Sequence, residues 1–270
     1  MNAAVSPGQG VLRFVRSGPR TVVHTSRAES PLKLLAPRNA GHAAWVYLAS
    51  LGGGLVDGDA VALSVTLERE TTALLGTQAS TKVYRSPRGT AFRMQARVAS
   101  GGLLAVVPDP VCCFAGARYT QGLDFWLEDE SASLVVVDTL TSGRAASGER
   151  WAFAHCATRI RVQRADRCIV LDAARLDPAH GPLPERMGRF DAYATIVTVG
   201  PRAAGVRDRL LSLGSEAPRP EALRAAGALS PDAALGRIAD VSVARAAAAV
   251  REIVAPLVLE LGDDPHARRW

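Results

Sequence analysis

Apolar and polar positions alternate along most of residues 11–200, and this alternation predicts a succession of short β-strands. Val, Thr and Ile are frequent in these segments, and Gly, Pro, Asp and Ser separate one segment from the next. No helical pattern lies between them, which disfavours a parallel sheet built from βαβ units. The predicted strands are 21–30, 42–50, 60–68, 71–78, 90–98, 102–108, 133–140, 153–162, 167–175 and 191–199.

The pattern changes after Pro201, where apolar residues recur at helical spacing. A helix is predicted over 203–214, and a second over 242–255. Pro256 ends the second helix because proline cannot continue one. We therefore expect a mainly β chain with two helices near its C-terminal end. Periodicity alone leaves a sandwich, a barrel and a β-solenoid open, and the lack of a fixed repeat disfavours a regular solenoid.

The domain organisation follows from these patterns. We expect a single domain over 1–270, with a loose N-terminal tail at 1–10 and a helix-containing C-terminal part at 202–257.

Charge and composition exclude several classes of function. The formal net charge is +6, which attracts acidic partners, but the basic residues form no run of the kind that binds nucleic acid. We expect no nucleic-acid partner. No apolar stretch approaches the length of about 18 residues that a membrane helix needs, so no membrane association is expected. The first residues also lack the charged start and apolar core of a signal peptide.

The cysteines match no disulfide framework and no zinc-binding spacing, which favours free thiols in a reducing cytoplasm. The adjacent Cys112 and Cys113 leave three roles open: buried thiols, soft metal ligands or a nucleophile. The sequence contains neither an HExxH nor a GxSxG motif, so the residues give little evidence for an enzyme.

A glycine-rich segment, "ASLGGGLVDGD" at 49–59, allows a phosphate loop, a metal loop or a turn. Leu55 and Val56 stand where a phosphate loop needs Lys and a hydroxyl residue, and a strand rather than a helix follows. Asp57 and Asp59 offer metal-binding oxygens, but no further carboxylate continues a calcium-type pattern. A glycine-rich turn is therefore the favoured interpretation.

Polar residues also cluster at 76–86 and at 139–153. The first cluster forms either an exposed strand end or a polar lumen. The second, a Gly- and Ser-rich loop, holds either a surface ion pair or a shaped site. Between the two clusters, Asp109 lies between two prolines, which stiffen its backbone.

Five segments occur in an order and spacing that resemble the UreD (UreH) family of urease accessory proteins. They are "GGGLVDGD", "TTALLGTQASTKVYRS", "PDPVCCFAGARY", "DTLTSGRAASGERWAF" and "LDPAHGPL". The resemblance implies an irregular β-helical, solenoid-like body of many short strands with two helices near the C-terminal end. It also implies a non-enzymatic role in urease maturation.

The resemblance further implies partners and a cargo. Family members bind apo-urease on one side and UreF on the other, and UreF recruits UreG, the GTPase that carries nickel. A 2:2 complex with UreF is expected. A polar tunnel through the UreD body is implied for Ni²⁺ in transit, with no tightly bound cofactor. The alternative is a pure assembly scaffold that does not handle nickel.

On this basis we predict which side chains contact or shape the nickel path. Transit requires weak, repeated oxygen contacts, because a tight site would trap the ion. The predicted metal contacts are Asp57, Asp59, Asp138 and Glu149. The predicted lining or shaping residues are Thr77, Gln78, Lys82 and Arg150. The helix at 242–255 and the tail to Trp270 are the candidates for partner docking.

Overall fold

A computed structural model describes residues 8–217 and 219–266. The strands are β1 (Gln9–Ser17), β2 (Arg20–Ala28), β3 (Leu32–Leu35), β4 (Ala44–Ser50), β5 (Ala60–Leu67), β6 (Thr72–Thr77), β7 (Thr81–Val83), β8 (Thr90–Val98), β9 (Leu103–Val106), β10 (Val111–Cys113), β11 (Arg118–Leu127), β12 (Ser133–Thr141), β13 (His155–Arg164), β14 (Arg167–Leu176), β15 (Ala192–Val199), β16 (Ala222–Ser230) and β17 (Ala233–Asp240). The helices are α1 (Leu183–Met187), α2 (Ala204–Gly214), α3 (Val243–Val254) and α4 (Leu257–Leu261). Short 3-10 turns lie at Ala145–Ser147, Pro178–His180 and Pro201–Ala203.

The strands form two sheets, each with a parallel centre. The first sheet has the order β14-β13-β11-β8-β5-β1-β2, and its five middle strands are parallel. The second has the order β16-β17-β15-β12-β9-β6-β4-β3, with β7 and β10 attached beside β12. There β4, β6, β9 and β12 run parallel. Antiparallel strands close both sheets at their edges.

Parallel pairing arises here without crossover helices. From β4 to β13 the chain passes repeatedly from one sheet to the other, and the longer strands return in order beside one another, as β5, β8 and β11 do in the first sheet and β6, β9 and β12 in the second. The opposite sheet therefore supplies the long crossover that parallel strands need. The mainly β class and the two longer helices near the C-terminal end are confirmed. The antiparallel edge strands limit the winding to the middle of each sheet, so the solenoid-like description stays a prediction.

The two sheets differ in how their strands are buried. Outward positions of β5 are exposed and inward ones are buried, which matches a sheet with one solvated face. By contrast, β9 is buried at every position. The second sheet is covered on both faces, because α2, α3 and α4 pack on its outer side.

Two hydrophobic cores follow from this three-layer arrangement. The larger core fills the space between the sheets and includes Phe14, Leu63, Phe125 and Val136. The smaller lies between the second sheet and the helices, where Ala249, Val250, Ile253 and Val254 of α3 are buried. The helix predicted at 242–255 therefore packs on the β body.

Two ion pairs connect the sheets at one edge. The guanidinium of Arg237 on β17 donates hydrogen bonds to Asp172 of β14 and to the hydroxyl of Tyr193. Nearby, Arg164 of β13 lies 2.5 Å from Asp232, in the turn between β16 and β17. These contacts hold β14 over β17, where no backbone pairing joins the two sheets.

Every predicted strand lies over an observed one, and both predicted helices are present. The sequence patterns missed β1, β3, β7, β10, β11, β16 and β17. The part at 202–257 holds the hairpin of β16 and β17 as well as helices. Of the predicted tail at 1–10, residues 1–7 lie outside the described residues. Gln9 and Gly10 belong to β1, because this segment pairs in parallel with β5.

Candidate functional site

A cavity of about 240 Å³ lies between the two sheets, beside the glycine-rich segment at 49–59. Most of its wall is apolar, because inward-facing core residues of both sheets form it. Several polar side chains interrupt this apolar wall. They include Thr77, Gln78, Lys82, Asp109, Gln121 and Asp138.

Asp138 lies on the inward face of its strand, where the neighbouring inward positions hold core residues. On β12 it shares the inward face with Val136 and Leu140, since side chains alternate along a strand. Burial raises its pKa to about 6; a hydrogen bond from Gln121 opposes this shift, and the nearby charge of Asp172 adds to it. At pH 7 this carboxyl group is therefore mostly ionised inside the protein.

A second cavity, of about 320 Å³, lies on the other side of Asp138. Cys156, Thr158, Tyr193 and Thr195 contribute to its wall. Asp138 lines both cavities, so the two meet at one carboxylate. Together they form a row of interior spaces along which hydroxyl, amide and carboxylate oxygens are available.

Tyr119 and Gln121 of β11 face Asp138 from the first sheet. The hydroxyl of Tyr119 donates a hydrogen bond of 2.8 Å to Oε1 of Gln121. The Gln121 amide group is then directed to donate toward Asp138. Burial raises the pKa of Tyr119, which keeps its hydroxyl neutral. Neither residue was predicted, because the alternation of β11 was not recognised as a strand.

A smaller cavity of about 110 Å³ shares Gly76, Thr77 and Asp109 with the first. The Asp109 amide donates to Oγ1 of Thr77 over 2.8 Å, and this hydroxyl donates to the Asp109 carboxylate over 3.1 Å. Asp109 is thus a carboxylate at the cavity that the site prediction omitted. Its position between two prolines was the sequence signal that could have identified it.

Comparison with known proteins identifies the family. The model of the family described as "UreD urease accessory protein" matches residues 6–270. The chain belongs to the UreD family. It is 55% identical over 269 residues to a urease accessory protein UreD of Sorangium cellulosum, covering 97% of this chain and 84% of that protein.

Other relatives extend across bacteria and plants. A urease accessory protein UreD of Anaeromyxobacter is 40% identical over 265 residues, covering 97% of this chain and 89% of that protein. A urease accessory protein D of Oryza sativa is 35% identical over 215 residues, covering 77% and 70% respectively. The UreD family consists of accessory proteins and not of catalysts, which confirms the non-enzymatic assignment.

Half of the predicted site residues of this UreD-family chain come together. Thr77, Gln78, Lys82 and Asp138 line the 240 Å³ cavity, although they come from β6, β7, β12 and the segment between β6 and β7. Winding of the chain between the two sheets brings these separate segments to one end of the interior. Their contact with nickel stays a prediction.

Asp57 and Asp59 do not line the two cavities that meet at Asp138. Asp57 accepts hydrogen bonds from the amide of Arg88 at 2.8 Å and from its Nε at 2.9 Å. The side-chain hydrogen bond from Arg88 lowers the Asp57 pKa. Asp59 accepts a bond of 2.8 Å from the amide of Val56. Both carboxylates therefore stabilise the turn that leads into β5.

Glu149 and Arg150 also lie outside those two cavities. Glu149 is paired with Arg144, which lowers the Glu149 pKa, and it accepts a hydrogen bond from the amide of Ala115. Arg150 lies 2.5 Å from Asp191 and donates to the carbonyls of Gly188 and Phe190. These contacts shape the loop after β12, and a direct role on a nickel path stays a prediction for both residues.

The glycine-rich segment forms a tight passage at the rim of the first cavity. A β-carbon on Gly54 would lie 2.6 Å from the carbonyl oxygen of Lys82 and 2.7 Å from the Tyr84 ring. The Leu55 amide donates to that same carbonyl over 2.8 Å, which fixes the approach of the two backbones. The turn interpretation agrees with this geometry, and Gly54 is required because no side chain fits.

Within 8–217 and 219–266, no three His, Cys, Asp or Glu side chains lie close enough to hold a metal ion together. Cys113 and Cys156 are buried, and Cys112 is partly buried beside a shallow depression.

In the same ranges, no helix has the length and apolar character required to span a bilayer.

Proposed function

We propose that this UreD-family chain serves urease maturation by connecting apo-urease with UreF, and through UreF with UreG, while its interior conducts Ni²⁺. The observation that carries the proposal is the meeting of two cavities at Asp138, where polar side chains interrupt mostly apolar walls. The family assignment supplies the urease context. A 2:2 assembly with UreF in the cytoplasm is part of the same proposal.

The chemistry of the interior suits an ion that passes and does not remain. Ni²⁺ accepts oxygen ligands such as carboxylates and water readily, whereas thiolate and imidazole sets hold it more tightly. Asp138 supplies one negative charge near the middle of the row of cavities. Hydroxyl and amide oxygens of Thr77, Gln78 and Thr195 supply weaker contacts on either side. The Asp138 carboxylate attracts the ion, and within the described residues no group of three His, Cys, Asp or Glu side chains is present to trap it.

The alternative function is a scaffold that assembles the complex without conducting nickel. Two observations favour the scaffold. Asp57 pairs with Arg88 and Glu149 pairs with Arg144, so these two predicted nickel contacts stabilise loops instead. Under this alternative the interior carboxylate is dispensable. The two functions therefore differ in what they require of Asp138.

The test is co-expression of urease and its accessory proteins with the Asp138→Asn variant. We expect the nickel content of purified urease to fall by about tenfold, since losing ~1.4 kcal/mol of attraction changes occupancy by that factor. UreF and apo-urease should still copurify with the variant. Asp57→Asn is the matched control, because it removes a carboxylate outside the two cavities that meet at Asp138. Normal nickel content with Asp138→Asn, in an intact complex, would support the scaffold instead.

A further inference from the structure

The outer face of the first sheet carries an ordered block of charged side chains. Three neighbouring parallel strands place their outward residues in register across this face. From strand to strand the registered rows are Arg93, Gly122 and Arg159; Gln95, Asp124 and Arg161; and Arg97, Trp126 and Gln163. We call this block the arginine face.

The arginine face has a strong excess of positive charge. Four guanidinium groups surround a single carboxylate, which leaves a formal charge of +3 on nine positions. Arg159 and Arg161 both contact the largely buried Asp124, each at 2.8 Å. Arg93 and Arg97 are exposed and have no carboxylate partner in the described part of the chain. Two uncompensated charges therefore point to solvent from one strand.

Trp126 is held at the end of this block. The guanidinium carbon of Arg97 lies 5.3 Å from the Trp126 ring centroid, and that of Arg161 lies 5.9 Å from it. These distances fit cation–π contacts, which keep both guanidinium groups and the indole ring in a fixed arrangement. Such an arrangement loses little conformational entropy when a partner binds.

The surroundings of the arginine face are flat and open. The outward residues of β5, from Ala60 to Thr66, are small and exposed. On the opposite side Leu171 of β14 pairs with Arg161 and is 66% exposed. The longer helices pack on the other sheet and leave this face accessible. A flat surface with Arg, Trp and an exposed Leu has the composition of a protein interface.

We propose that the arginine face docks an acidic surface of a folded protein partner. Its charge excess is complementary to a group of carboxylates, and bidentate guanidinium–carboxylate pairs suit such a contact. Nucleic acid fits less well, because guanidinium groups cover Trp126, which prevents the stacking of a base on its ring. This docking role does not depend on nickel passing through the interior.

The test compares the full chain with the variant Arg93→Glu/Arg97→Glu, using a fluorescently labelled polyglutamate peptide as the acidic probe. The two reversals change the face from +3 to −1 without removing either arginine that contacts Asp124. We expect anisotropy titrations to show affinity lowered at least about tenfold, and wild-type binding that weakens as NaCl is raised. Thermal unfolding of the variant should match that of the wild type.

The matched control is Lys33→Glu/Arg38→Glu, which makes the same change in net charge at exposed positions on and after β3. We expect it to change polyglutamate affinity less than about twofold, because remote exposed charges are screened. An equal loss in this control would overturn the proposal, since net charge alone would then explain binding. A DNA duplex that binds the wild type more tightly than polyglutamate does, and is lost in the Arg93/Arg97 variant, would show a nucleic-acid face instead.

Discussion

Replacing Asp138 by Asn should stabilise the folded protein at neutral pH. The Asp138 pKa is raised from 3.8 to about 6 by burial, so the folded state disfavours the ionised form. A difference of about 2 pKa units corresponds to about 3 kcal/mol in the free energy of unfolding. Asn is neutral at every pH and can still accept a hydrogen bond from Gln121. We therefore expect Asp138→Asn to raise the free energy of unfolding at pH 7.5 by about 2–3 kcal/mol.

The pH dependence of stability provides a second, independent test of the same prediction. Between about pH 4 and pH 6 the folded state keeps a proton on Asp138 that the unfolded state has released. Asp138 therefore contributes a loss of stability as the pH rises through this window, and the loss is complete above it. The variant should lack this contribution, and its advantage over the wild type should disappear near pH 4.

Urea unfolding of the purified full chain at pH 4.5 and pH 7.5 measures both effects. The control is Asp57→Asn, because hydrogen bonds from Arg88 lower the Asp57 pKa. That change should destabilise the protein at pH 7.5, which is the opposite sign. If Asp138→Asn were equally or less stable than the wild type at pH 7.5, the assignment of an ionised, desolvated carboxylate in the interior would be refuted.

Two further predictions concern the cavity rim and the partner surface. Gly54→Val should lower the free energy of unfolding by about 1–3 kcal/mol in thermal or urea unfolding, because its β-carbon meets a fixed carbonyl, whereas Gly53→Asn faces open space and should have a smaller effect. Leu259→Asp should reduce copurification with UreF if α4 docks a partner, since this side chain is 82% exposed while Leu257 and Leu261 are buried. Unchanged copurification would exclude this side of α4. Truncation at 257 is a poorer test, because it removes both buried leucines from the core.

Much of the strand content was predictable because apolar alternation survives in each segment. β5 alternates over its whole length, and β12 carries a continuous apolar run. The hairpin of β16 and β17 was missed for a physical reason. Its sequence is rich in Ala, which favours helix in isolation, and pairing with β15 overrides that local preference. The sequence pattern also could not predict the parallel pairing, since alternation does not reveal which strands are neighbours.

The site was only partly predictable for a related reason. Polarity in a loop, as at Glu149, does not distinguish a side chain that faces a cavity from one that pairs with a neighbour such as Arg144. The place of Asp138 in its strand is a more specific signal, because it follows the apolar run "LVVV" and still alternates inward. Gln121 carries the same signal in β11, between the buried Tyr119 and Leu123.

Inward polar residues of this kind are not expected in the core of a plain sandwich. An ordinary core would place aliphatic side chains at Gln121, Asp138 and Thr195, and desolvation of the carboxylate would then cost nothing. The chain instead keeps a charge whose burial lowers stability above pH 6. Residues that disfavour the folded state are concentrated at functional sites. If Asp138→Asn gains stability while urease loses nickel, the two effects have opposite signs, and misfolding cannot explain the lost nickel. A scaffold without a nickel path predicts the gain in stability alone.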